Sequence, residues 1–254
     1  MNTEQSLTIN KDGWNKIAPK LYGKAALPRY GPLAQSETDL KLIGDIQGAR
    51  VLEIGCGSGH SLLYVAQQGA SEVWGLDLSH SQIEFASSLL KANGLLPRLF
   101  ESPMEENPGI PLNYFDLVIS IYALGWTVDL PKTLDHIRSY LKPGGFLVFS
   151  WEHPVYRCIS YESGQFVISR SYHDEGAELQ DSWLGAPIVQ SPRKLSTYLN
   201  SLIDVGLVVE KVVESAIDTS WVESHNFAPE YWYSVPKATL MPTTMIIKAR
   251  KSER

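Results

Sequence analysis

The chain has 254 residues, with 22 Lys and Arg against 28 Asp and Glu for a formal net charge of −6. Its 44% apolar and 20% charged residues are the proportions of a globular protein and exclude collagen-like, disordered and disulfide-scaffold chains. The acidic balance argues against nucleic acid or an anionic membrane as the working partner, because both reward a positive face.

The two cysteines, Cys56 and Cys158, lie far apart, and no Cys or His pair has the close spacing of a zinc site, so no metal is expected. No run approaches the ~18 apolar residues of a membrane span. The start, MNTEQSLTINKDG, has neither the basic nor the apolar region of a signal peptide, so a cytoplasmic protein is expected.

In chain order, residues 14–24 and 37–46 read as two helices. From residue 50 to 151 short apolar runs alternate with helical patterns, the sign of βαβ units and a parallel sheet. Strands are expected at 50–54, 72–76, 98–100, 115–120 and 145–151, and several lack strict alternation, as strands covered on both faces should. Ser79 and Gln82 have capping-box spacing ahead of Ile83, Ala86 and Leu90, and Asn93-Gly94 supplies a stop. A further helix starts after Asp129 with Leu134, Ile137 and Leu141 inward, and Lys142-Pro143-Gly144-Gly145 turns the chain into the next strand.

Residues 152–190 are rich in aromatics and glycine without a helix period, which predicts an irregular or β-hairpin insertion. Ser191-Pro192 then reads as an N-cap and N1 proline for a helix carrying Leu195, Tyr198, Leu199, Leu202 and Ile203 on one face, closed by Gly206. Residues 207–213 and 243–249 read as two final strands.

The sharpest local feature is VLEIGCGSGH, residues 51–60. An apolar strand ends at the acid Glu53 and runs through Gly55, Gly57 and Gly59 where a helix should begin. Glycines there allow a tight turn and close approach of backbone to a ligand, and the helix start presents unpaired N–H groups. Asp77, at the end of the second strand, stands where a carboxylate can accept two hydrogen bonds from ribose hydroxyls. The dinucleotide fingerprint G-x-G-x-x-G is not met, since His60 takes the sixth position, and Glu53 would put negative charge near a pyrophosphate. A ligand with a cationic amino-acid end and an adenosine end suits this pattern better.

On these residues the chain resembles the class I S-adenosylmethionine-dependent methyltransferases over most of its length. The first motif of that family matches Glu53, Gly55, Gly57 and Gly59, its ribose acid matches Asp77, its fourth-strand motif matches Phe115-Asp116-Leu117-Val118, and its LKPGG turn stands at residues 141–145. The resemblance implies an α/β fold: a Rossmann-like seven-stranded sheet, mostly parallel with one antiparallel strand and helices on both faces. It divides one domain, 1–254, into an N-terminal helical lid (1–48), a cofactor-binding core (49–151), an inserted cap (152–191) and a C-terminal helix with final strands (192–254).

The chain is also similar to a bacterial small-molecule subgroup of that class through SWEHP at 150–154, Arg193 to Ser196, and the proline-led final strand at 242–248. It departs from the subgroup at Pro192-Arg193-Lys194 and at Glu214-Ser215, which leaves the acceptor open.

The resemblance implies S-adenosyl-L-methionine as cofactor, S-adenosyl-L-homocysteine as product, and methyl transfer to a small-molecule acceptor by in-line displacement. Cofactor contacts would come from Glu53, Gly55, Cys56, Gly57, Gly59, Asp77 with Leu78, Met104 and Glu105 near the adenine, and Ser120 and Ile121 after the fourth strand. Trp14, Tyr22 and Tyr30 resemble an aromatic lid, with Tyr22 the cofactor contact. Tyr122 and Trp126 would line the acceptor pocket, and His153, after the fifth strand, is the candidate general base. The aromatic stretch 221–233, with Trp221, His225, Phe227, Tyr231, Trp232 and Tyr233, would cap a flat or apolar acceptor. A non-catalytic cofactor-binding module and a nicotinamide-dependent oxidoreductase remain alternatives, and the oligomeric state stays open.

Overall fold

Successive residues of the strands point alternately into two apolar clusters. Leu52, Ile54, Val118, Leu147 and Phe149 join Leu134, Ile137, Tyr198 and Leu202 in one. Val51, Leu117, Ile119 and Val148 join Leu62, Val65 and Leu90 in the other. A sheet buried on both faces requires helices on both, and its strands read as continuous apolar runs rather than alternating ones.

The computed structural model describes residues 2–218 and 228–253. It begins with α1 (Thr3–Ile17) and the single turn α2 (Glu37–Leu40), followed by β1 (Arg50–Ile54), α3 (His60–Gln67), β2 (Glu72–Asp77), α4 (His80–Ala92) and β3 (Arg98–Glu101). Next come β4 (Phe115–Ile121), α5 (Leu130–Tyr140) and β5 (Leu141–Glu152). The insertion forms two hairpins, β6 (Ile159–Glu162) with β7 (Gln165–Ile168) and β8 (Glu178–Trp183) with β9 (Ala186–Gln190). The chain closes with α6 (Leu195–Asp204), β10 (Leu207–Glu214), the short α7 (Val235–Ala238) and β11 (Thr244–Lys251).

The main sheet has seven strands in the order β10-β11-β5-β4-β1-β2-β3, and β11 runs antiparallel to both its neighbours. This is the expected Rossmann-like sheet. The chain moves outward from β1 to β3 and then crosses back to set β4 on the other side of β1. The C-terminal ends of β1 and β4 therefore border the switch point where open α/β sheets bind ligands. The opposite ends are tied by Asp116, which accepts from the Arg50 amide at 2.9 Å and from Lys142 Nζ at 2.6 Å. No helix among the described residues is long and apolar enough to cross a membrane.

Four local expectations shift. The first helix lies at Thr3–Ile17, not 14–24, because Asn2 and Gln5 cap each other at its start. Its buried face is Ser6, Asn10, Gly13 and Ile17, so apolar periodicity could not reveal it. The second helix stops after one turn, since the Glu37 carboxylate takes the Leu42 and Ile43 amides at 2.9 Å each and Lys41 adopts φ 49°. The helix α6 starts at Leu195 rather than at Pro192. Its first amides are met from the insertion, Lys194 by Glu175 at 2.8 Å and Leu195 by the Tyr172 hydroxyl at 3.2 Å. The Lys142–Gly145 turn sits inside β5 as an irregularity of register, with Phe115 opposite Leu141 and Leu117 already opposite Phe146.

Helix α1 spans the C-terminal edge of the sheet and is fastened at two places. The Asn10 side chain donates to the Val189 carbonyl (3.0 Å) and accepts from its amide (2.7 Å). Asn15 Oδ1 accepts from Ser79 Oγ at 2.8 Å and from the Ser81 amide at 3.2 Å, at the start of α4. The helix thus roofs the space above the switch point.

Candidate active site

The glycine loop follows β1 and turns into α3. Its first two amides, Gly55 and Cys56, both donate to the Leu76 carbonyl, at 2.7 and 2.9 Å, which pins the loop to the end of β2. The three glycines serve different purposes. A Cβ on Gly55 would lie 2.4 Å from Ala123 Cβ, and one on Gly59 would lie 3.0 Å from Ala86 in α4. Those two are required by packing. At Gly57, with φ 49°, the nearest atom to a Cβ would be Gln82 Oε1 at 4.0 Å, so this position faces open space.

That space is a cleft of about 970 Å³, its open mouth included. Its floor includes Glu53, Gly55, Cys56, Gly57, Asp77 and Leu78. Burial pushes the Glu53 carboxyl well above the usual carboxylate range, with a bond from Ser61 opposing. Asp77 is pushed up to about 6 by burial, against the backbone bonds that favour its charged form. Its Oδ2 accepts from the Gly57 amide and its Oδ1 from the Ser79 amide, both at 2.9 Å, and the Leu78 backbone adds a further bond. The two carboxylate oxygens have four lone pairs between them, so acceptor capacity remains.

Glu53 Oε2 and Gln82 Oε1 are buried acceptors without a hydrogen-bond partner among the described residues, and both residues line the cleft. Buried polar atoms are ordinarily paired, so these two acceptors fit a ligand that brings donors, above all cationic ones. Burial lowers the His60 pKa, and Ser58 Oγ, which accepts the Gly23 amide, bonds its Nδ1 at 3.0 Å. A neutral imidazole beside the loop leaves such a cation unopposed.

The far side holds Met104, Glu105, Ile121, Tyr122 and Trp126. Glu105 is buried and ties the two loops together, accepting from Thr127 Oγ1 at 2.6 Å and the Val128 amide at 2.7 Å. Trp126 belongs to a cluster of tryptophans. Its ring centroid lies 5.1 Å from Trp14, 5.3 Å from Trp183 and 5.3 Å from Trp151. Trp14 contributes to the cleft from α1, alongside Leu7 and Asn10.

Several expected site residues lie elsewhere. Gly59 is on the helix–helix contact. Ser120 is fully buried and donates to the Ile54 carbonyl at 2.9 Å, holding β4 to the end of β1. Tyr22 is exposed and packs edge-on against His60 and Phe85, outside the cleft lining. Tyr30 is a core residue whose hydroxyl bonds Glu37. His153 does not line the cleft: its Nε2 bonds Glu214 at 3.0 Å and its Nδ1 accepts the Val155 amide at 3.3 Å. Trp221, His225 and Phe227 lie outside the described residues.

The residues that reasoning from sequence missed are informative. Gln82 reads as the second half of a capping box; its amide does bond Ser79 Oγ at 3.3 Å, but its side chain faces the cleft. Leu7, Asn10 and Lys24 join the lining only because α1 and the segment after it fold over the sheet edge. No group of three or more His, Cys, Asp or Glu side chains among the described residues is placed to hold a metal ion.

Comparison with known proteins identifies the family. Residues 30–168, more than half of the chain, match the methyltransferase domain family. An uncharacterized protein of Haemophilus influenzae is 26% identical over 267 residues, covering both chains in full. Aklanonic acid methyltransferase DauC of Streptomyces sp. is 30% identical over 138 residues, 54% of this chain and 61% of its own. An S-adenosylmethionine-dependent methyltransferase from Mesorhizobium loti has a crystal structure that superimposes with a TM-score of 0.69 at 27% identity, covering 83% of this chain and 94% of that one.

Proposed function

We propose, from the premise that this chain belongs to the class I S-adenosylmethionine-dependent methyltransferases, that it methylates a small, flat or apolar molecule held against the tryptophan wall of the cleft. The observation that carries this reading is the division of one cleft into an acidic floor and an aromatic side. The floor suits a cationic nucleoside, and the wall offers ring faces and edges to an unsaturated acceptor. The net charge of −6 gives a nucleic-acid acceptor no electrostatic help. One relative is named as a methyltransferase of aklanonic acid.

S-adenosylmethionine supplies, when bound, an electrophilic methyl group on a cationic sulfur. Asp77 would accept from the ribose with the lone-pair capacity its backbone bonds leave free. Glu53 and Gln82 would take the donors of the cationic amino-acid end with their unpartnered oxygens. Gly57 would let the backbone approach, and Met104, Leu78 and Cys56 would pack against apolar parts of the nucleoside. The remaining task of the protein is alignment: Trp126 and Tyr122 hold the acceptor atom opposite the sulfur while α1 excludes water. Burial keeps the Cys56 thiol well above its usual pKa, which fits packing rather than nucleophilic chemistry.

The test is turnover of methyl-labelled S-adenosylmethionine against phenols, hydroxy acids, amines, bulk tRNA and a protein extract. Label is expected in an extractable small product. Label found only in tRNA or protein would overturn the acceptor class.

A further inference from the structure

Behind the acceptor side of the cleft a buried polar chain runs from Tyr122 to Glu152. Tyr122, the first residue after β4, lines the cleft and has φ 54°, a strained backbone for a residue with a large side chain. Its amide is held by the Ser150 carbonyl at 3.1 Å and Ser150 Oγ at 3.2 Å, so the conformation is fixed by β5. The Tyr122 hydroxyl lies 2.8 Å from that of Tyr233, and the Tyr233 hydroxyl donates to Glu152 Oε2 at 3.0 Å. Trp232 Nε1 donates to the same carboxylate oxygen. Glu152, the last residue of β5, is 6% exposed.

The order of donors follows from chemistry. An ionised carboxylate only accepts. Tyr233 spends its proton on Glu152, so its oxygen accepts from Tyr122. Tyr122 then points its own proton away from the cleft wall, and Thr244 adds a further bond to its hydroxyl. All the hydroxyl protons lean toward Glu152. We propose that Tyr122, Tyr233 and Glu152 form a proton relay that drains the proton released by the acceptor hydroxyl or amine as it is methylated.

This rests on the methyl-transfer reading above. As the acceptor lone pair bonds the methyl carbon, the S–C pair returns to sulfur. The acceptor proton passes to Tyr122 Oη, that of Tyr122 to Tyr233 Oη, and that of Tyr233 to Glu152 Oε2. Both tyrosines end neutral and the carboxyl ends protonated. Tyr122 is the catalytic residue of the relay; Tyr233 and Glu152 act through it.

The surroundings make this carboxylate take a proton more readily than an exposed one. Burial raises its pKa, opposed by the bonds from Trp232 and Tyr233 and by the charges of Arg157 and Lys237. Tyr122, Tyr156, Cys158, Tyr198 and Tyr233 also sense it. Lys237 does not bond it: its Nζ donates to the Ile159 carbonyl at 2.6 Å and sits over the rings of Tyr156 at 3.8 Å and Trp232 at 4.6 Å. The acid is therefore left as a proton acceptor and not locked in a short ion pair.

Two measurements test the relay on the full chain. The first needs no acceptor: the protein is labelled with 3-fluorotyrosine, and Tyr122→Phe and Tyr233→Phe assign the two fluorine resonances. Glu152→Gln should move both resonances, because the chain is continuous. A Tyr122 resonance that stays in place overturns the relay. The second uses the phenols of the panel. Glu152→Gln and Tyr233→Phe should lower kcat about 10- to 100-fold with the KM for S-adenosylmethionine unchanged. The acid limb of the wild-type pH–rate profile should vanish in Glu152→Gln and partly return in Glu152→Asp. Wild-type kcat with an unchanged acid limb overturns the relay, and Tyr233→Phe serves if Glu152→Gln does not fold. A wild type that methylates nothing in the panel defeats the small-molecule reading instead, and the fluorine result then decides the relay by itself.

Discussion

The floor of the cleft takes Glu53, Gly57 and Asp77 from one short βαβ stretch, while the wall takes Trp14 and Trp126 from distant segments, backed by Trp151 and Trp183 from two more. On the floor, groups are set by hydrogen bonds between neighbouring strand ends: Asp77 grips the Gly57 amide, and the Leu76 carbonyl grips Gly55 and Cys56. On the wall, position comes from ring-to-ring packing and from the Asn10–Val189 bonds that bring α1 onto β9. On the proposed function a floor of this kind tolerates little change, because each group would contact the cofactor directly. A wall of packed rings can be retuned one ring at a time, which suits the part proposed to select the acceptor.

If the two sides are separable in this way, substitutions on the floor should cost cofactor affinity, and substitutions at the roof or beyond should cost stability first. Gly57→Val is expected to have the largest effect. Its branched side chain would enter the cleft from a backbone at φ 49°. Calorimetry should show S-adenosylhomocysteine affinity falling more than about a hundredfold, beyond the ~1–3 kcal/mol of strain the fold would feel. Normal affinity would reduce the loop to a structural turn.

Asp77→Asn should come next, with affinity down about 10- to 100-fold. It also carries a pH signature. Burial raises the Asp77 pKa to about 6, so the carboxylate proposed to accept the ribose hydroxyls is lost as pH falls through that value. Wild-type affinity for S-adenosylhomocysteine should therefore drop about tenfold between pH 7 and pH 5, the fall in the ionised fraction. The variant should be flat over this range, and an equally steep variant would assign the titration to another group.

Asn10→Ala tests the roof. It leaves the buried Val189 amide and carbonyl unpaired, which costs about 1–3 kcal/mol. Denaturant unfolding should show that loss, while cofactor affinity changes only a few-fold. A hundredfold loss of affinity would show that roof and floor are a single unit.

His153→Ala should do least to activity, less than about threefold in kcat, because the imidazole is engaged with Glu214 and Val155 away from the cleft. Its effect belongs to stability. Burial lowers the pKa of the folded imidazole below 6.5. The unfolded chain takes up a proton that the folded one refuses, so this contribution is full above the unfolded value and is lost as pH falls through the folded one. The gap in stability between wild type and variant should narrow on acidification below about pH 6. A large loss of kcat with an altered pH–rate profile would return His153 to the catalytic list.

The parts legible in the sequence share one property: each is a pattern whose physical cause is local. Doubly buried strands show as short apolar runs. A loop that turns sharply from strand into helix shows as glycines, and an acid at the next strand end shows by its spacing. Even there, the sequence could not tell Gly57, which faces the cleft, from Gly55 and Gly59, whose missing side chains make room for Ala123 and Ala86. The distinction lies in which distant atom stands opposite.

The remaining features have non-local causes. Helix α1 escaped the apolar pattern because it buries Ser6, Asn10 and Gly13, and those residues are favourable inside only when the Val189 backbone and the β9 surface meet them. The start of α6 follows from amides that Glu175 and Tyr172 satisfy across the insertion. The sequence singles out His153 as the base and passes over its neighbour Glu152. Strand alternation sends them to different surroundings, one to Glu214 and the other to Tyr233 and the chain that ends at Tyr122. The sequence by itself determined the sheet, the glycine loop and the acid at its side, because backbone turning and strand burial are written in neighbouring residues. Which side chains share the cleft was decided only by tertiary structure, because a buried polar group or an aromatic ring acquires its role from the partner the fold brings to it.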